Sequence, residues 1–113
     1  MSYELDGTET PWSYCELVND DGHVRYSVEG RNGEEICVID CDDYTAERDA
    51  RAMASAPKLV EALGDALTDL IGYQVNARKA AKHDSAWEGV AEAVQPRIDK
   101  ARAALAKATG ANQ

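Results

Sequence analysis

Between Trp12 and Asp40 apolar and polar residues alternate, and from Ala46 onward apolar residues recur every three or four positions. In HVRYSVEG, Val24, Tyr26 and Val28 alternate with Arg25, Ser27 and Glu29, the period of two of a half-buried strand. WSYCELV precedes this run and EEICVID follows it. Asn19-Asp20-Asp21-Gly22 punctuates the first gap. Asn32-Gly33 punctuates the second, a pair suited to tight hairpin turns because both positions tolerate positive φ. The pattern predicts a three-stranded antiparallel meander within residues 12–44, preceded by a flexible polar arm over 1–11.

After Tyr44 the period becomes helical. Thr45 is the expected N-cap of a short helix from about Ala46 through Ser55, with Glu47 and Asp49 complementing the dipole of its first turns. Pro57 then raises a question inside an alanine-rich, helix-favouring stretch, DARAMASAPKLVEAL. Proline lacks an amide hydrogen and disfavours helical geometry in the residue before it, yet sits easily in a first turn. The expectation is that Ser55 or Ala56 closes one helix and Pro57 opens a longer one in a new direction; a kinked continuous helix is the competing reading. The second helix carries Val60, Leu63, Leu67, Leu70 and Ile71 as its apolar stripe and should run towards Lys82. Ser85 and Glu88 form a capping-box signature ahead of a third helix, whose face holds Trp87, Val90, Ala91, Val94, Ile98, Ala101 and Leu105. Pro96 should bend or divide it, and Gly110 should stop it.

The fold class that follows is α+β: the meander, then a short helix and a long antiparallel helical hairpin over residues 45–110. At 113 residues the chain has the size of a single domain, 1–113, able to bury a core without staples. The third strand is apolar on both faces, with Ile36 and Val38 on one and Cys37, Ile39 and Cys41 on the other. Either it is sandwiched within the chain or its second face meets another molecule, so a homodimer is expected.

Charge changes the picture more than composition does. The formal net charge is -9, unevenly placed. Residues 1–50 hold 14 acidic residues against three arginines, a net of -11; residues 51–113 hold seven acids against nine bases, a net of +2. An acidic half repels phosphates and argues against direct nucleic-acid binding, but it suits a basic protein partner. Asp20, Asp21, Glu34, Glu35, Asp40, Asp42 and Asp43 are the candidate partner-binding residues. No apolar run is long enough for a transmembrane helix, and MSYELDGTETPW has neither the basic nor the apolar region of a signal peptide. Three cysteines, Cys15, Cys37 and Cys41, without framework spacing point to reduced thiols and a cytoplasmic setting.

Candidate chemistry is sparse. Cys37 and Cys41 with His23 fall short of the four paired ligands of a structural zinc site, so the thiols read as small hydrophobes and no metal or cofactor is expected. Asp40, Asp42 and Asp43 resemble an oxygen-rich magnesium cluster, but they lie where helix entry favours negative charge anyway. Arg78, Lys79 and Lys82 form a basic patch able to hold a phosphate, with solvated helix-end cations as the default reading.

One resemblance adds lineage. Asp49, Ala50, Met53, Ala54, Ala56, Pro57, Leu59, Val60, Ala62 and Leu63 resemble a pattern of small bacteriophage and prophage proteins, in which a strand-rich part precedes an Ala-Pro junction and a Leu-rich helix. The similarity covers roughly residues 12 to 70. It implies a phage origin and carries over no catalytic residue. By class-level analogy the expected function is a non-enzymatic counter-defence protein that occupies a basic or nucleic-acid-binding host protein, an anti-CRISPR protein in its concrete form. The alternative is a sponge for a nucleotide immune signal, using Arg78, Lys79 and Lys82.

Overall fold

A computed structural model describes residues 7–40 and 45–110. They fall into two compact units, one within residues 7–59 and one within 60–110. The first contains β1 (Ser13–Val18), β2 (Val24–Glu29), β3 (Glu35–Asp40) and α1 (Ala46–Ala54). The second is built from α2 (Ala56–Ala81), whose first residues belong to the other unit, and α3 (Val90–Thr109), with a 3-10 turn at Ser85–Trp87 between them. The α+β meander followed by helices is as the periodicity predicts.

The strands pair antiparallel in the order β1-β2-β3, with Cys15 opposite Ser27 and Ser27 opposite Val38. Both hairpins use the same three-residue loop. At the first, Gly22 N–H donates to Asn19 O at 2.9 Å and Asn19 N–H to His23 O at 2.8 Å; Gly22 has φ +84°. At the second, Gly33 N–H donates to Gly30 O at 3.1 Å and Gly30 N–H to Glu34 O at 2.8 Å, with Gly33 at φ +85°. Only the closing glycine is left-handed in each loop, so the expectation of positive φ at Asn32 is corrected. A three-residue loop needs one such residue, and glycine adopts it without a Cβ penalty. Thr8 and Glu9, placed by the sequence in a polar arm, are engaged at this second loop. Arg31 N–H donates to Glu9 O at 3.0 Å, and Trp12 Nε1 donates to Thr8 O at 3.0 Å. A Cβ on Gly30 would collide with the side chains of Thr8 and Glu34.

The sheet face carrying Tyr14, Tyr26, Val28 and Cys37 is the one that α1 covers. Ala46 and Ala50 are buried there one turn apart, so two small residues let the helix backbone approach a fully buried Val28. Met53 Sδ lies 3.6 Å from Cys37 Sγ, and Tyr14 Oη meets Glu47 at 3.4 Å. The rings of Tyr14 and Tyr26 pack at 6.4 Å between centroids, tilted by 54°.

Pro57 falls in the first turn of α2, and Ser55 is the residue between the helices. The break is therefore where proline chemistry puts it. Val60 and Leu67 pack against Val94, Ile98, Ala101 and Leu105, with Leu70 and Ile71 at the edge. Leu63, expected in this core, is instead exposed, because the buried stripe runs through Gly64. The capping box at Ser85 is also corrected. Asp84 caps the 3-10 turn by accepting from Ala86 N–H at 2.9 Å, and α3 begins only at Val90, after Gly89 turns left-handed at φ +82°. Trp87 thus lies outside α3. Pro96 leaves α3 undivided, and Gly110 ends it at φ +76° by donating to Ala106 O.

Candidate functional site

Strand register decides where the acidic residues go. Asp20 and Asp21 occupy the β1–β2 loop, and Asp40, opposite Arg25, lies at the same end of the sheet. Glu34 and Glu35 lie at the other end, where Glu35 faces Glu29. Six-residue strands separate the two ends by roughly 17–20 Å, about twice the screening length of roughly 8 Å at physiological ionic strength. The predicted acidic residues therefore form two clusters, not one face. Asp42 and Asp43 lie outside the described residues, as does Cys41.

Several of these acids have local work. Asp21 Oδ1 accepts from His23 N–H at 2.9 Å, fixing the loop, and Asp40 Oδ1 meets His23 Nε2. Asp20 is exposed. Beside it Val18 is 61% exposed, an apolar side chain in an open depression that Asn19, Asp20 and Asp21 complete.

Arg78, Lys79 and Lys82 sit at the C-terminal end of α2, as expected for cations complementing a helix dipole. Arg78 Nη1 donates to Gln74 Oε1 at 3.4 Å. Gln74 is buried between α2 and α3, where its Nε2 donates to Ala91 O at 3.0 Å and to Gln95 Oε1 at 2.7 Å. Gln95 Nε2 continues the chain to Asp99 at 2.9 Å. Arg78, Lys79 and Lys82 are all exposed, and Arg78 is tied by its hydrogen bond to an interhelical polar seam. Gln74 escaped the sequence reading. Its signal was positional: it stands seven residues beyond Leu67 and fourteen beyond Val60, an amide in a core register.

The thiols of Cys15 and Cys37 lie on opposite faces of the sheet, because Cys15 pairs with Ser27 and Cys37 with Val28. They cannot share a metal ion. Burial, and then the charge and hydrogen bond of Glu29 at 3.6 Å, push the Cys15 thiol above its ordinary pKa. The reactive species is the thiolate, so Cys15 should be alkylated more slowly than a small free thiol at mildly alkaline pH. Glu29→Gln should speed that reaction without fully restoring it, since burial is the larger cause. Site-resolved mass spectrometry checks this, and an unchanged rate would contradict the role of Glu29.

On the same face, Ser27 is 1% exposed, and its Oγ, like Arg25 Nε, has no hydrogen-bond partner among the described residues. An unsatisfied buried hydroxyl costs about 1–3 kcal/mol. Ser27→Ala should accordingly leave stability unchanged or raise it by about 1 kcal/mol, read as an upward shift of the urea midpoint; a clear loss would show that the hydroxyl is satisfied.

Among the described residues no helix is long and apolar enough to cross a membrane. Compared with known proteins, residues 1–112 match the family described as Salmonella phage P22 protein Y8K6. No curated protein and no solved structure matches the chain.

Proposed function

The chain belongs to the Salmonella phage P22 protein Y8K6 family, and from that phage origin we propose that it acts by binding and inhibiting a protein of the bacterial host. The target in this reading is a basic or nucleic-acid-binding defence component in the host cytoplasm, and an anti-CRISPR protein is the concrete form. Occupation of a surface, without catalysis, is the mechanism.

The observation that carries the reading is the loop end of the sheet. Exposed Val18 is bordered by Asp20 and Asp21, with Asp40 at the same end. An apolar contact rimmed by carboxylates suits a partner surface with a hydrophobic anchor among lysines and arginines. The carboxylates would speed encounter, and Val18 would exclude water once docked.

Two experiments test the proposal together. The tagged protein is used to capture partners from host lysate, with a parallel screen against cyclic and linear nucleotides. A basic protein should be retained, and retention should fall steeply with added salt because exposed charges are screened. Charge reversal at Asp20 and Asp21 should weaken capture much more than reversal at Glu34 and Glu35. In a CRISPR-immune host, expression of the protein should restore phage plaquing. Unaltered immunity removes the anti-CRISPR form. Nucleotide binding lost on neutralising Lys79 and Lys82, with no protein captured, would replace the inhibitor reading by the sponge.

A further inference from the structure

β1 is an outer strand of the sheet, and its register says which of its backbone groups are spent on β2. Asn19 N–H donates to His23 O at 2.8 Å, the hydrogen-bonded pair that closes the first hairpin. Such pairs alternate along an antiparallel ladder, so Leu17 opposite Arg25, Cys15 opposite Ser27 and Ser13 opposite Glu29 bond to β2. The N–H and C=O groups of Tyr14, Glu16 and Val18 therefore point away from it. The second hairpin has the matching phase: Gly30 N–H donates to Glu34 O at 2.8 Å, so Val28 and Tyr26 bond to β3 and leave Arg25, Ser27 and Glu29 for β1. Among the described residues no further backbone hydrogen bond reaches Tyr14, Glu16 or Val18. The side chains of Glu16 and Val18 are exposed as well, whereas Ile36 and Val38, outward residues of the opposite edge, are half-buried.

We propose that an extended, basic segment of the host partner adds to the sheet as a fourth strand along β1. That the partner is a host protein rests on the function proposed above; the open edge does not. Backbone hydrogen bonds to Tyr14, Glu16 and Val18 would hold the segment, and alternate side chains would give selectivity. Residues of the added strand opposite Glu16 and Val18 lie on the same sheet face as those two side chains. A lysine or arginine fits opposite Glu16 and an apolar residue opposite Val18, with further cations reaching Asp20 and Asp21 beyond the strand.

Native edges are blunted by bulges, prolines or charges. β1 pairs with β2 without a bulge, contains no proline and carries a single charge, Glu16. That charge selects the occupant. In the full-length antiparallel pairing of two β1 strands, Tyr14 meets Val18 and Glu16 meets Glu16, between halves that each carry a net of -11. Like charges directly opposite destabilise a strand pair, whereas opposite charges stabilise it. The edge thus repels its own copy and admits a cationic strand.

The test mixes the full chain with an acetylated, amidated octapeptide of alternating lysine and valine and follows amide hydrogen exchange by NMR. With peptide in excess, exchange at Tyr14, Glu16 and Val18 should slow about tenfold or more, and exchange at Ile36 and Val38 should not change. Glu16→Thr removes only the charge and should weaken peptide binding roughly two- to fivefold. Glu16→Pro also removes the amide, at an edge position that tolerates proline, and should weaken binding roughly three- to tenfold further. Protection of no amide, protection at Ile36 and Val38 instead, or equal binding by the folded threonine and proline variants would overturn the proposal. If Glu16→Pro loses the wild-type circular dichroism, the protection pattern of the wild type decides alone. A host protein captured equally by wild type and Glu16→Pro, but lost on charge reversal at Asp20 and Asp21, would overturn strand addition and leave the inhibitor reading. Protection at the three amides with no host protein captured would support strand addition and remove the host reading.

Discussion

Leu67→Ala should destabilise the helical unit by about 2–5 kcal/mol, whereas Leu63→Ala, four residues away, should cost the isolated monomer less than about 0.5 kcal/mol. Both leucines lie on α2, and a helical wheel places both near its apolar side. Leu67 is 2% exposed and packs among Val60, Val94, Ile98, Ala101 and Leu105. Truncating it removes buried methyl groups and leaves a cavity that two rigid helices close only in part. Leu63 has no such cavity to leave. Urea unfolding followed by far-ultraviolet circular dichroism gives both values. Equal losses at the two positions would mean that the α2–α3 seam is rotated towards Leu63.

Ala50→Leu should cost the sheet unit about 1–3 kcal/mol. Ala50 is 0% exposed and Ala46 2%, and both press α1 onto a sheet face where Val28 is also fully buried. Three added carbon atoms have nowhere to go unless α1 lifts. Lifting would separate Tyr14 from Glu47 and pull Met53 from Cys37. The near-ultraviolet circular dichroism of the Tyr14–Tyr26 pair should therefore change along with the unfolding midpoint. A tolerated leucine would show that α1 is loosely seated. Because Ala50 and Leu67 belong to different compact units, their costs should add in the double variant.

The candidate surface shows how far local sequence reaches. Asp20, Asp21, Glu34, Glu35 and Asp40 are all legible as acids beside turns, since turn residues and exposed charges are chosen by the same local chemistry. Their division between two ends of the sheet follows from strand register, a relation between residues up to twenty apart. Val18 at the loop end could not be told from a core valine, because alternation says which residues share a face and not whether anything covers it.

Local sequence is enough to set the elements. Alternation at Val24, Tyr26 and Val28, the glycines that end each loop, the missing amide of Pro57 and the left-handed stop at Gly110 all act over one turn or one strand. What those elements bury depends on packing between them. Leu63 and Leu67 are chemically equal and equally helical, yet α3 covers one and not the other. Gln74 looks like a surface amide until Ala91 and Gln95 are brought to it across the seam. Asp84 caps only the 3-10 turn, and the left-handed Gly89 turns the chain before α3 begins. Propensity and periodicity are carried by neighbours in the chain, whereas burial and hydrogen-bond partners are supplied by residues that only folding makes adjacent.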